Sequence, residues 1–449
     1  MSYNGKSLPE FRHLEKIRGQ TPDKNTKRKQ LRKRKPENTC TAQDKENPHQ
    51  LPQVDLNEKI LSCNANHPNV TVRKRQRGVL SNATNLQSGT TEDNDQFPIA
   101  AKRKKFLENK DNPGLAYGFG CNSRNWLSED KVEKIRQPIQ VRNTDEIRNI
   151  VACKDDTFIV RENTLQQMKY GKLEEVQVQG RVKKVTGGTA HFIVTENGQL
   201  WSWGDNQYGQ AGQRIGSFIE VPTQVNLQGK LVADVESCDT AAGCVTTDGT
   251  GFVWGLLNGR PVVRRVVQDS TVQELPLSSK IDQIVFGNSH MLVLSRQDDA
   301  VWSKGENGHG QLGHGTRRAE NQFRRIASLS RKRVVKLACG GHTSAALTFD
   351  GKVLTWGMWN GTEIFLPKVV QKIDNVIDIA VGCGHILALT SENKLFAWGW
   401  NNSCQCGIDT DNGELAEPML VEGLENLEIL QITAGRAHST IKCKPLNIT

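Results

Sequence analysis

Histidine is the residue of this chain that recurs in a pattern capable of chemistry. It closes a phrase of the form Gly-x-x-His followed by apolar residues: GTAHFIVT (188–195), GNSHMLVLS (287–295), GCGHILALT (382–390) and GRAHSTI (435–441), with CGGHTSAALT (339–348) as a variant. Imidazoles can bind metal or carry protons, but equivalent points of a repeat are spread around a structure instead of converging, so no metal centre is expected. Their expected role is to satisfy backbone carbonyls at strand ends. Where the histidine is missing, acids appear: Asp155 and Asp156 in CKDDTFIV (153–160), and Asp239 in CDTAAGCV (238–245). Cys404-x-Cys406 is too short a pair to specify zinc. No glycine-rich phosphate loop, Ser-His-Asp set or paired carboxylates stand out, so neither a cofactor nor intrinsic catalysis is expected.

Clustered cations are the second pattern. The chain has 449 residues and a net charge of +10, and residues 1–113 carry all of that excess, with 23 Lys+Arg against 13 Asp+Glu. All nine tryptophans lie beyond residue 113. Residues 1–113 show no sustained hydrophobic period and too little apolar surface to offset chain entropy, which predicts a disordered basic tail joined to a balanced body at 114–449. Within the tail, Lys27, Arg28, Lys29, Arg32, Lys33, Arg34 and Lys35 form one cluster, Arg73 to Arg77 a second, and Lys102, Arg103, Lys104 and Lys105 a third. Such clusters suit an import receptor and the nucleic-acid backbone, where they release counterions without reading sequence. The third resembles a monopartite nuclear localisation signal, and Lys45-Glu46-Asn47 resembles the KEN degron. In the body, Arg317, Arg318, Arg324, Arg325, Arg331, Lys332 and Arg333 are opposed only by Glu320. They are expected on an exposed loop between two repeats, facing DNA phosphate or an acidic protein.

The elements that must position these residues are strands. A second phrase, a tight turn and an alternating strand ending in aromatic-glycine, recurs as ENGQLWSWGDN (196–206), DGTGFVWGLLN (248–258), DDAVWSKGEN (298–307), DGKVLTWGMWN (350–360) and ENKLFAWGWNN (392–402). Asn-Gly and Asp-Gly between alternating runs are hairpin signals. The units average about 48 residues, as four-stranded propeller blades do. Tyr117–Asn122 has the aromatic-glycine phrase without a preceding Gly-x-x-His, and Gly435–Ile441 has the reverse. Joining the two completes a blade, which predicts an all-β, seven-bladed propeller closed by pairing of N- and C-terminal strands. No run approaches 18 apolar residues and the opening MSYNGKSLPEFRHLEK has no apolar core, so neither a membrane span nor a secretory signal is expected. Eleven cysteines then read as reduced thiols.

The phrases Trp203-Gly-Asp-Asn-Gln-Tyr-Gly-Gln-Ala-Gly212 and Gly305-Glu-Asn-Gly-His-Gly-Gln-Leu-Gly313 resemble the repeat of the RCC1 family. The resemblance covers residues 117–441. It implies loops that gather acids and histidines on one face, used in the family's exchange factor to engage a Ran-type GTPase. By loop order Asp239 would take the place of a family acid, with His290, His342 and His385 as neighbours. Two departures are visible: the loop at Cys238 lacks the histidine, and the Tyr-Gly-Gln-Leu-Gly phrase is absent after Trp254 and Trp356. The expectation is therefore a nuclear, chromatin-associated scaffold that binds an unidentified protein on the propeller face. Guanine nucleotide exchange on a Ran-type GTPase is the alternative.

Overall fold

The computed structural model describes residues 98–446, apart from 124, 126, 128–131, 155, 170–171, 217, 258, 263–271 and 360. The clusters at 27–35 and 73–77, the Lys45-Glu46-Asn47 motif and Asp155 lie outside the described residues. No described helix is long and apolar enough to cross a membrane.

Among the described residues, chain order begins with a helix, α1 (Pro98–Asn109), and then β1 (Leu115–Cys121) and β2 (Lys134–Gln140). Six antiparallel sheets follow. Blade 1 holds β3 (Asn149–Ala152), β4 (Thr157–Val160), β5 (Leu165–Lys169) and β6 (Lys172–Val176). Blade 2 holds β7 (Val182–Gly187), β8 (Ala190–Thr195), β9 (Leu200–Gly204) and β10 (Ile219–Gln224). In blade 3, β11 (Val232–Ser237), β12 (Ala241–Thr246) and β13 (Gly251–Leu257) are followed by two short pieces, β14 (Arg260–Pro261) and β15 (Gln273–Glu274), both paired to β13. Blade 4 is β16 (Gln283–Phe286), β17 (His290–Ser295), β18 (Ala300–Gly305) and β19 (Glu320–Arg325). Blade 5 is β20 (Val334–Cys339), β21 (Thr343–Thr348), β22 (Val353–Trp359) and β23 (Thr362–Val369), and blade 6 is β24 (Val376–Val381), β25 (His385–Thr390), β26 (Leu395–Trp400) and β27 (Glu414–Leu420). The last strands, β28 (Leu427–Ala434) and β29 (His438–Pro445), pair with β1, so blade 7 runs β2-β1-β29-β28. Leu115 pairs with Cys443 and Gly120 with His438. The ring thus closes with the two chain ends sharing one blade, as the complementary phrases predict.

Burial follows position within the blade. The second strand is buried at every residue in β8, β12, β17, β21 and β25, because it has sheet neighbours on both edges and blades on both faces. The outermost strands β10 and β19 bury no residue fully and carry polar side chains outward. First strands of successive blades pack on one another around the axis and carry charge there: Lys184 bonds Asp234 and Glu236, and Lys336 bonds Asp378.

One segment departs from the sequence reading. Residues 98–109, assigned to the disordered tail, form α1, packed on β24. Its buried residues Ile99 and Phe106 join the core cluster of blade 6, and Ile99 lies over the Gly351 turn. Arg103 falls on the same stripe and interacts with Asp378 in the channel wall; burial lowers its guanidinium, and Asp378 opposes that shift. The next residue of the stripe, Lys110, is half-buried among the charges of Lys336, Asp378, Lys184 and Asp234. The helix therefore crosses the axial end of the ring with two cations turned inward. Its continuation is pinned by Lys442, a fully buried lysine whose Nζ donates to the carbonyl oxygens of Lys110, Asn112 and Arg148. Burial pushes that ammonium down to about 8. Lys442→Met would strip donors from three carbonyls, and we expect a loss of about 1–3 kcal/mol in urea unfolding. Proteolysis between α1 and β1 should accelerate in parallel.

Candidate interaction face

The loops that join first to second strands and third to outer strands lie at one end of the propeller, opposite α1. Their shape is set from inside. Asn206 Oδ1 accepts from Ala211 N at 3.1 Å while its Nδ2 donates to Arg214 O. Asn307 and Asn401 do the same with Leu312 and Cys406. Gln210, Gln311 and Gln405 accept from the backbone N–H two residues earlier. All six side chains are buried. The polar residues of the repeated phrase therefore fold their own loops and are unavailable to a partner. Cys404 occupies the left-handed position (φ 59°) held by Gly209 (φ 74°) and Gly310 (φ 80°) in the better copies, and Cys404 and Cys406 are both buried free thiols. Among the described residues no group of three or more His, Cys, Asp or Glu could hold a metal ion.

The histidines separate by register. His290, His385 and His438 each pair across the sheet with an aromatic-glycine glycine: Gly305, Gly399 and Gly120. In that register the imidazole lies over the glycine three residues before it, where a Cβ at Gly287, Gly382 or Gly435 would stand 2.1–2.6 Å from the ring. Its Nε2 then reaches a hydroxyl of the following blade: Ser344 at 2.9 Å, Ser439 at 2.8 Å and Thr157 at 3.1 Å. Ser344 donates in turn to Gln311 O and Ser439 to Gln405 O, so each accepts from an Nε2–H. The expected partner was a strand-end carbonyl; the actual one is a hydroxyl across the blade interface. Burial holds His290 and His385 down to about 3 and His438 to about 4, keeping all three neutral.

His191 and His342 are each one residue out of that register. Ala190 and Thr343 pair with Gly204 and Gly357, which leaves His191 after the position and His342 before it. A one-residue step turns a side chain to the other face of a strand. His191 consequently packs between Phe158 and Trp203, with Nε2 3.4 Å from Asp156. His342 faces outward against His309, ring centroids 4.9 Å apart. His309 Nδ1 is 3.0 Å from Glu363, which also binds Arg317. Nothing in the spacing of the sequence signalled this His309–His342–Glu363–Arg317 group.

Of the four residues assigned to a GTPase-engaging face, the structure does not bring the set together. His290 and His385 have no exposed surface. His342 is exposed, and Asp239 is half-buried in an ion pair with Lys154 of blade 1. Burial pushes the Asp239 carboxyl up to about 6, while the Lys154 ammonium acts in the opposite direction.

The arginine segment is also divided. It is not one loop: it contains outer strand β19 and a short 3-10 turn, Ala327–Leu329. Arg317 lies at the loop end, bonded to Glu363 and stacked on Phe365. Arg324 pairs with Glu320 and Arg325 donates to the carbonyls of Asp298 and Asp299 along the rim. Arg331, Lys332 and Arg333 emerge at the opposite end, beside α1.

Comparisons with known proteins agree with this architecture. The RCC1-like domain pattern matches residues 111–441. The human E3 ubiquitin-protein ligase HERC2 is 27% identical over 73% of this chain, and the Arabidopsis thaliana ultraviolet-B receptor UVR8 is 29% identical over 56%. The aligned regions are 8% and 61% of those proteins' own lengths. Among solved structures, Prp20p of Saccharomyces cerevisiae superposes with a TM-score of 0.68 at 15% identity, covering 76% of this chain and 95% of Prp20p. Human WBSCR16 gives 0.65 at 19%, covering 74% and 99%. With the closed seven-blade ring, the repeated loop phrase and the matched domain pattern, this chain is a member of the RCC1-like domain family.

Proposed function

We propose that this protein is a nuclear, chromatin-associated propeller that acts as a protein-interaction scaffold, with its basic segments docking on DNA or nucleosomes and its N-terminal clusters serving an import receptor. The observation that carries the reading is the state of the loop face. Exchange on a GTPase works by favouring the nucleotide-free state through differential contacts. Here two of the four side chains such contacts would use lie inside blade interfaces, and Asp239 is already paired with Lys154. What stays accessible is shape and charge, which suit binding. The Prp20p structure was described together with its binding to Gsp1p and histones, and Prp20 has also been crystallised with Kap60. Partners of those kinds support the choice of classes to test.

The test is release of a fluorescent GDP analogue from a Ran-type GTPase, beside binding to reconstituted nucleosomes. We expect no acceleration of release, an Asp239→Ala variant that behaves as the parent does, and nucleosome binding that weakens steeply with salt. Acceleration of about a hundredfold that Asp239→Ala removes would instead make the protein an exchange factor.

A further inference from the structure

The cations of α1 and those of the 331–333 bulge are distant in sequence and adjacent in the fold. Ile99 of α1 lies over the Gly351 turn, and in that same turn Phe349 N donates to Arg333 O at 2.9 Å. The Arg333 guanidinium sits 3.9 Å above the Phe349 ring. Arg331 and Arg333 both adopt the left-handed region (φ 64° and 47°), and Lys332 N donates to Leu329 O, so the bulge is a tight, fixed turn. On α1 the stripe Ile99, Arg103, Phe106 faces inward, which turns Lys102, Lys104 and Lys105 to solvent. Among the described residues, Lys102, Lys104, Lys105, Arg331 and Lys332 are exposed and make no ion pair with an acid. Glu108 is the single acid of α1. Most other cations at this end are already engaged: Arg296 with Asp282, Lys352 with Asp374, and Lys372 with Glu417.

We propose that α1 and the 331–333 bulge form one rigid basic surface that docks on the phosphate backbone of duplex DNA. The docked helix thereby converts a cluster that looks like a free tail motif into half of a shaped site. The chemistry favours phosphate over a protein partner. Within these two segments only Leu107 is a large exposed apolar residue, whereas a protein interface needs a desolvated apolar centre. Exposed lysines serve as point charges for a backbone that carries no sequence information. The inference rests on the chromatin reading above for the choice of polymer.

The experiment measures binding of the full chain to a short mixed-sequence duplex over a range of salt. Lys102→Glu with Lys105→Glu, and separately Arg331→Glu with Lys332→Glu, should each weaken binding about tenfold and lower the salt slope by about 2. Phe106→Asp keeps every cation but releases the helix, and should weaken binding similarly; Arg317→Glu with Arg318→Glu, at the other end, should not. Thermal unfolding checks that each variant retains the propeller, and the surface pair at 331 and 332 decides the matter if Phe106→Asp fails to fold. Full-strength binding by the 331/332 and Phe106 variants would overturn the proposal and assign the affinity to residues 1–97. A parent chain that binds no duplex even at low salt would remove the chromatin reading itself.

Discussion

Trp356→Ala is expected to destabilise the propeller by about 3–5 kcal/mol, the range for truncating a buried aromatic residue. Trp356 has no exposed surface. It fills the contact between blades 4 and 5, where its indole N–H donates to Gln311 O at 2.8 Å and its ring abuts Gly313. Ser344 Oγ donates to the same carbonyl, and His290 donates to Ser344, so four repeated residues meet at one junction. A closed ring cannot slide one blade inward to refill the space, so the cavity cost stays. Trp356→Phe separates the contributions: it keeps most of the apolar contact and leaves Gln311 satisfied by Ser344, and should cost only about 1–2 kcal/mol. Urea unfolding at constant m-value measures both. A loss below about 1 kcal/mol for Trp356→Ala would contradict this account of the blade junction.

Mild acid should unfold this protein. His290, His385 and His438 are neutral in the folded chain, with values held down to about 3, 3 and 4 by burial, and return to about 6.5 when unfolded. Below pH 6.5 the unfolded chain therefore binds more protons than the folded one, and stability falls with pH until the folded values are reached. Each unit costs about 1.4 kcal/mol per group. By pH 4.5 the three together remove roughly 8 kcal/mol, comparable with the whole stability of an ordinary domain. The expected result is cooperative unfolding with a midpoint between about pH 4 and 5.5. His385→Gln, which can still donate to Ser439, should flatten the slope by one proton. A urea midpoint unchanged from pH 6.5 to 5 would show that these imidazoles are not buried neutral.

The division between what was legible and what was not follows from the range of the interactions. Repetition made the fold readable: each Trp-Gly, Asn-Gly or Asp-Gly phrase encodes a local turn or strand end. The incomplete phrases at Tyr117–Asn122 and Gly435–Ile441 announced the shared blade that β1 and β29 form. The roles of the histidines were not readable, because His191 matches the Gly-x-x-His phrase and His342 closes its Cys-Gly-Gly-His variant, yet both stand one residue out of register. Only strand pairing shows that Ala190 and Thr343 occupy the equivalent positions. The arginine segment looked continuous because sequence distance cannot tell one end of a blade from the other.

Residues 98–110 carried a weak local signal, the spacing of Ile99, Arg103, Phe106 and Lys110. It was hidden because two of the four are cations, and their inward facing depends on Asp378 and Asp234 in strands far along the chain. By itself the sequence determined the blade and its number, since those rest on hydrogen bonds and turns within some 50 residues, and it signalled closure only through the two incomplete phrases whose strands pair from opposite ends of the ring. The tertiary structure alone decided which charges are buried, which are paired and which share a face, because those depend on contacts between blades that no local pattern encodes.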